Sequence, residues 1–69
     1  MIEVDARGLS CPEPVMMTNS ALKDHPGEKV QVIVDEACSL KNVQKFGKSK
    51  GKQVSVQDKG NGEYEISIE

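Results

Sequence analysis

The chain opens on an alternation. Ile2 and Val4 are apolar while Glu3 and Asp5 are acidic, the period-two signature of a strand covered on one face. Arg7-Gly8-Leu9-Ser10 breaks the pattern as a turn. From Cys11-Pro12-Glu13-Pro14 onward the spacing becomes helical, to about Asp24. Both prolines fit the first turn, where backbone amides have no intrahelical acceptor and a missing N–H costs little. His25-Pro26-Gly27 stops this helix. Its core stripe is predicted as Val15, Thr18, Asn19 and Leu22, which sends Met17 to the opposite side and leaves Met16 on the flank.

Residues 29–35 return to alternation, with Val30, Val32 and Val34 on one face and Ile33 on the other. A second helix follows Asp35-Glu36-Ala37-Cys38, with Ser39 predicted as its N-cap. Leu40, Val43, Phe46 and Gly47 recur at helical spacing, and Gly51 is a fitting stop. Residues 53–58 make a third strand, Lys59-Gly60-Asn61-Gly62 a hairpin turn, and residues 63–68 a fourth strand with Tyr64, Ile66 and Ile68 inward. The order βαβαββ predicts an α/β (more narrowly α+β) two-layer sandwich. It has a mixed four-stranded sheet with two helices on one face, because a parallel first pair needs a right-handed crossover. Strand order is left open by this pattern. With no repeat, linker or low-complexity run, residues 1–69 read as a single domain.

Composition narrows the function classes. Only Phe46 and Tyr64 are aromatic, 3% of 69 residues, too few ring faces for a base-stacking platform. Nine Lys/Arg against eleven Asp/Glu leave a net charge of -2, with no nucleic-acid footprint overall. The lysines are nevertheless clustered: between residues 37 and 57 there are five and no acid. Lys41, Lys45 and Lys48 share one helical face. They read either as a docking surface for an acidic partner or tRNA backbone, or as a solvated face that suits the helix dipole. The longest uncharged stretch, residues 14–22, is too short to span a bilayer, and the acid-rich start is no secretory leader. Two cysteines make no disulfide scaffold. A cytoplasmic protein with reduced thiols and no membrane association is expected.

Cys11 is the sharpest chemical feature. It stands between a strand and a helix start, where partial positive charge and unpaired amides stabilise a thiolate. Pro12 and Pro14 offer no amide, which leaves those of Glu13, Val15 and Met16 to face the sulfur. Arg7 adds positive charge and Glu13 opposes it. Cys11 thus reads either as an activated thiol or as a buried, inert one. His25, fourteen residues on, lies about 20 Å away along a helix, so a Cys-His hydrolase is disfavoured. There is no Cys-x-x-Cys pair, metal-ligand cluster or phosphate-binding loop, and no metal or cofactor is expected. A lone accessible thiol without a base suits sulfur-to-sulfur transfer. Parallel first strands would carry Cys38 to the same edge of the sheet as Cys11, either as a second thiol or as a packing residue. Met16 and Met17 beside the thiol read as an adaptable docking surface or as packing at the helix edge.

Residues 5–17, and above all Gly8-Leu9-Ser10-Cys11-Pro12-Glu13-Pro14, resemble the opening of the TusA/SirA/YedF family of small sulfur-transfer proteins, whose signature is Gly-Leu-x-Cys-Pro-x-Pro. The resemblance continues through Pro26-Gly27-Glu28 and covers essentially the whole chain, and residues 42–51 look more like the YedF branch. It implies the βαβαββ sandwich again, and a sulfurtransferase-like carrier in which Cys11 bears a persulfide. The sulfur would come from a cysteine desulfurase or other donor and pass to a downstream acceptor protein or domain. It would serve tRNA thiolation, with tRNA met only indirectly, or sulfur or selenium metabolism. On this reading Arg7 and the helix start steady the anionic sulfur, while Pro12 and Pro14 fix the turn. Members of the YedF branch often carry a second domain, so the chain reads as a stand-alone member or a front module. Cys38 departs from the TusA pattern. Two other classes stay in view. One is a non-catalytic RNA-binding or regulatory domain using the lysine face, the fold being similar to the C-terminal domain of translation initiation factor 3. The other is a thiol redox sensor using Cys11 and Cys38.

Overall fold

Each alternating segment forms a strand and each 3.6-periodic segment a helix. The computed structural model describes residues 1–10 and 12–69. The elements are β1 (Ile2–Asp5), α1 (Glu13–Asp24), β2 (Val30–Val34), α2 (Ala37–Ser49), β3 (Val54–Asp58) and β4 (Tyr64–Ile68). The sheet order is β1-β2-β4-β3. β1 and β2 run parallel, from Ile2 opposite Val30 to Asp5 opposite Ile33. β4 returns antiparallel between β2 and β3, with Val32 and Val56 both facing Ile66.

The two central strands carry most of the core. Val30, Val32, Val34, Ile66 and Ile68 are fully buried, each on the alternation that the sequence shows. Each such side chain contributes roughly 1.5–3 kcal/mol by leaving water. α1 lies over β1 and β2, and α2 over β4 and β3, so both helices cover one face. The other face is polar: Gln31 Nε2 donates to Glu65 Oε1 at 3.1 Å, and Lys59 Nζ lies 3.7 Å from Glu65 Oε2.

Three local expectations are corrected. The buried stripe of α1 is Pro14, Thr18 and Ala21, with Val15 and Leu22 partly buried beside it. Asn19 is only half-buried. Thr18 belongs to the core because its hydroxyl donates to the Pro14 carbonyl at 2.8 Å, which removes the cost of burying it. This rotation exchanges the two methionines: Met16 is 62% exposed and Met17 37%. In α2 the N-cap is Glu36, on extended backbone and without a side-chain cap. Ser39 lies inside the helix and is buried. With Val43 and Gly47 it forms a small-residue stripe that lets α2 approach the sheet closely. A Cβ on Gly47 would stand 2.7 Å from Val54 Cγ2.

Candidate functional site

The parallel pair sends two loops to the same end of the sheet, one after β1 and one after β2. The first is pinned at several points. Ala6 N–H donates to the Ile33 carbonyl at 2.9 Å and so prolongs the β1–β2 ladder. Gly8, at φ 77, is in the left-handed region that suits a residue without a Cβ. Its N–H donates to both carboxylate oxygens of Asp35, at 3.1 and 3.0 Å, which ties the first loop to the second. Leu9 packs against the core. Across residue 11, the Ser10 carbonyl accepts from Glu13 N–H at 3.0 Å, and beyond it the Pro12 carbonyl accepts from Val15 and Met16 N–H at 3.1 Å each. Cys11 itself lies outside the described residues, between these two tethered flanks.

The three amides that the sequence left for the sulfur are therefore already bonded to backbone carbonyls. Beyond them α1 offers the partial positive charge of its dipole. Pro12 is the N-cap residue of α1, Glu13 its exposed first residue, and Pro14 is buried against the core. Arg7 is exposed and doubly engaged. Its Nε and Nη2 hold Asp5 Oδ1 and Oδ2 at 2.9 and 2.8 Å, and Nη1 lies 3.5 Å from Glu63 Oε2. The bidentate guanidinium pushes the Asp5 carboxyl down to about 2, while Asp5 and Glu63 raise the guanidinium's own pKa. The group as a whole carries one negative charge.

Cys38 is exposed in the first turn of α2, with Asn42 Nδ2 3.7 Å from its Sγ. It thus stands at the start of the helix that follows Asp35, the residue gripping Gly8. Lys41, Lys45 and Lys48 lie exposed along the outer face of α2. His25 ends α1, its Nδ1 3.3 Å from Glu28 Oε2. Sequence reasoning missed Asp35 and Glu63 as organisers of the loop. The signal was an acid flanking each of two strands, but using it requires β2 and β4 to be neighbours. A shallow cavity of about 310 Å³, lined by Gln53, Val54, Ser55 and Glu69, lies at the opposite end of the sheet. No helix among the described residues is long and apolar enough to cross a membrane.

Fold and loop together define a class: βαβαββ sandwiches whose first strand delivers a Gly-Leu-x-Cys-Pro-x-Pro segment to the start of the first helix. The model of the family described as sulfurtransferase TusA matches residues 2–69, and the chain belongs to that family. The chain is 36% identical to the sulfur carrier protein TusA of Pseudomonas paraeruginosa over 62 residues, 88% of this chain and 78% of that protein. The sulfur carrier protein TusA of Pseudomonas aeruginosa matches with the same figures. The crystal structure of a SirA-like protein from Desulfitobacterium hafniense superposes with a TM-score of 0.92. It shares 37% identity and is matched over 99% of this chain and 95% of that one.

Proposed function

We propose that the protein is a sulfur carrier that holds sulfane sulfur as a persulfide on Cys11. The Cys11 thiolate attacks the terminal sulfur of a donor persulfide. A new S–S bond forms at Cys11, the donor's S–S bond breaks, and the donor leaves as a thiolate. An acceptor thiolate then takes the same terminal sulfur by the same displacement. Each step exchanges one S–S bond for another, with no net oxidation and no proton relay.

The observation that carries this reading is the full-length family match, with the signature Gly8-Leu9-Ser10-Cys11-Pro12-Glu13-Pro14 in a loop pinned on both flanks. In this reading Arg7 supports Cys11 by fixing the loop through Asp5 and Glu63. Pro12 and Pro14 shape the turn, and Glu13 brings an opposing negative charge to the start of α1. A cysteine desulfurase supplies the sulfur, a downstream protein receives it, and tRNA is met only through later members of the relay. Met16 and Met17, beside the loop, and the Lys41, Lys45 and Lys48 stripe offer docking contacts. A relay of reduced thiols belongs in the cytoplasm.

The test is sulfur loading. After incubation with a cysteine desulfurase and cysteine, mass spectrometry is expected to show one added sulfur atom on the peptide containing Cys11. Cys11→Ser is expected to abolish the gain and Cys38→Ser to keep it. Undiminished loading of Cys11→Ser would overturn the proposal.

A further inference from the structure

β3 is an edge strand, and the hydrogen-bond parity of the hairpin shows which of its backbone groups face outward. Gln53 and Glu69 exchange both of their hydrogen bonds, at 3.0 and 2.9 Å, and Lys59 N–H donates to the Glu63 carbonyl at 3.0 Å. Residues alternate sides along an antiparallel ladder. Ser55 and Gln57 therefore face β4, as Gln53 and Lys59 do, while Val54, Val56 and Asp58 turn their N–H and C=O groups to the outer edge. Val56 is 39% exposed, although it stands on the same face as its buried partner Ile66.

Edges of this kind are commonly blunted by a charge or a proline; β3 has no proline and a single charge, Asp58 at its last position. The other edge strand, β1, carries Glu3 and Asp5. β3 with the two residues before it, Lys52-Gln53-Val54-Ser55-Val56-Gln57-Asp58, also reads symmetrically about Ser55. Folded back on a second copy, Val54 meets Val56, Gln53 meets Gln57, and Lys52 meets the oppositely charged Asp58. We propose that β3 pairs antiparallel with β3 of a second copy of this chain, about a two-fold axis through Ser55.

The hydrogen-bond parity agrees with this register. Val54 and Val56 both point their backbone groups outward, so the two copies exchange four N–H···O=C bonds. Ser55 faces its own mate across a non-hydrogen-bonded position. A slip of one residue sets outward groups against inward ones. A slip of two places a valine opposite Asp58 or Lys52 and loses the charge pair. The result is an eight-stranded sheet with an isologous interface. Because the pairing is antiparallel, the loops that follow β1 in the two copies lie at opposite ends of the shared sheet. An edge contact of this size makes a weak, concentration-dependent dimer.

Cross-linking tests the register. At a non-hydrogen-bonded pair the Cα atoms stand about 4.5 Å apart, within disulfide reach. In a Cys11→Ser/Cys38→Ser background, Ser55→Cys under oxidised glutathione is expected to give covalent dimer at least tenfold faster than Gln57→Cys, whose mates lie four positions apart. Adding Val56→Pro removes an outward N–H without touching the β3–β4 ladder, and is expected to cut the Ser55→Cys rate at least tenfold. Lys52→Glu, which sets an acid against Asp58, is expected to cut it severalfold while leaving the strand chemistry intact. In sedimentation, the average mass of the unmodified protein rises with concentration. Equal cross-linking at positions 55 and 57, a rate indifferent to both Val56→Pro and Lys52→Glu, or a strictly monomeric protein at millimolar concentration would overturn the proposal.

Discussion

Arg7 shows how one side chain fixes a loop. Its guanidinium spans Asp5, at the end of β1, and Glu63, just before β4, and so ties the two strands that flank β2. Asp5 is held at about 2 against an ordinary 3.8. A carboxyl with a depressed pKa stabilises the fold fully above its unfolded value, and that contribution fades as pH falls through the folded value. Asp5→Asn is therefore expected to be less stable than the parent above about pH 4. The two urea-unfolding curves should converge as pH approaches 2, with a modest difference because both partners face solvent. A stability gap that stays constant from pH 5 to pH 2 would contradict this account.

At the scale of elements, the periodicities identified every strand and helix, and each strand lies within one residue of its expected ends. The misplacements came from polar groups that find local partners. Thr18 enters the core through its bond to Pro14, and the stripe of α1 turns with it, which exchanged Met16 and Met17. Its residue type and the acids before it point to Ser39 as an N-cap, yet a small side chain is needed where α2 closes on the sheet. Gly47 meets the same demand. Gly47→Ala gains helix propensity of roughly 1 kcal/mol but sets a Cβ against Val54 Cγ2 at 2.7 Å. Overpacking of this kind costs about 1–3 kcal/mol, so a net loss of about 1 kcal/mol is expected in denaturant unfolding, and a larger one for Gly47→Leu. A stabilised Gly47→Ala would show that the contact is slack. The sequence marked the loop carrying Cys11, but it could not show the Asp35 and Glu63 tethers. These depend on strand order, which alternation does not encode.

Over the whole molecule, charge is segregated. Asp5, Glu13, Asp35, Glu36, Asp58 and Glu63 gather at the end that bears the two loops, against Arg7 and Lys59. The lysines of α2 lead away from it toward Lys50 and Lys52. Replacing Lys41, Lys45 and Lys48 together by Gln makes the chain more acidic by three charges. If the stripe docks a relay partner, sulfur uptake at low salt slows severalfold and the difference vanishes at high salt. An unchanged rate at low salt would assign the stripe to solvation alone. The order β1-β2-β4-β3 has a different kind of consequence. The fourth of these strands in chain order lies inside the sheet and supplies Ile66 and Ile68 to the core. Until Ile68 has cleared the ribosome, nothing joins β3 to the β1–β2 pair, and the core lacks Ile66 and Ile68. Completion of the core must therefore wait for translation to reach this point, so a chaperone that shields nascent chains would meet the preceding segment with its core unfinished.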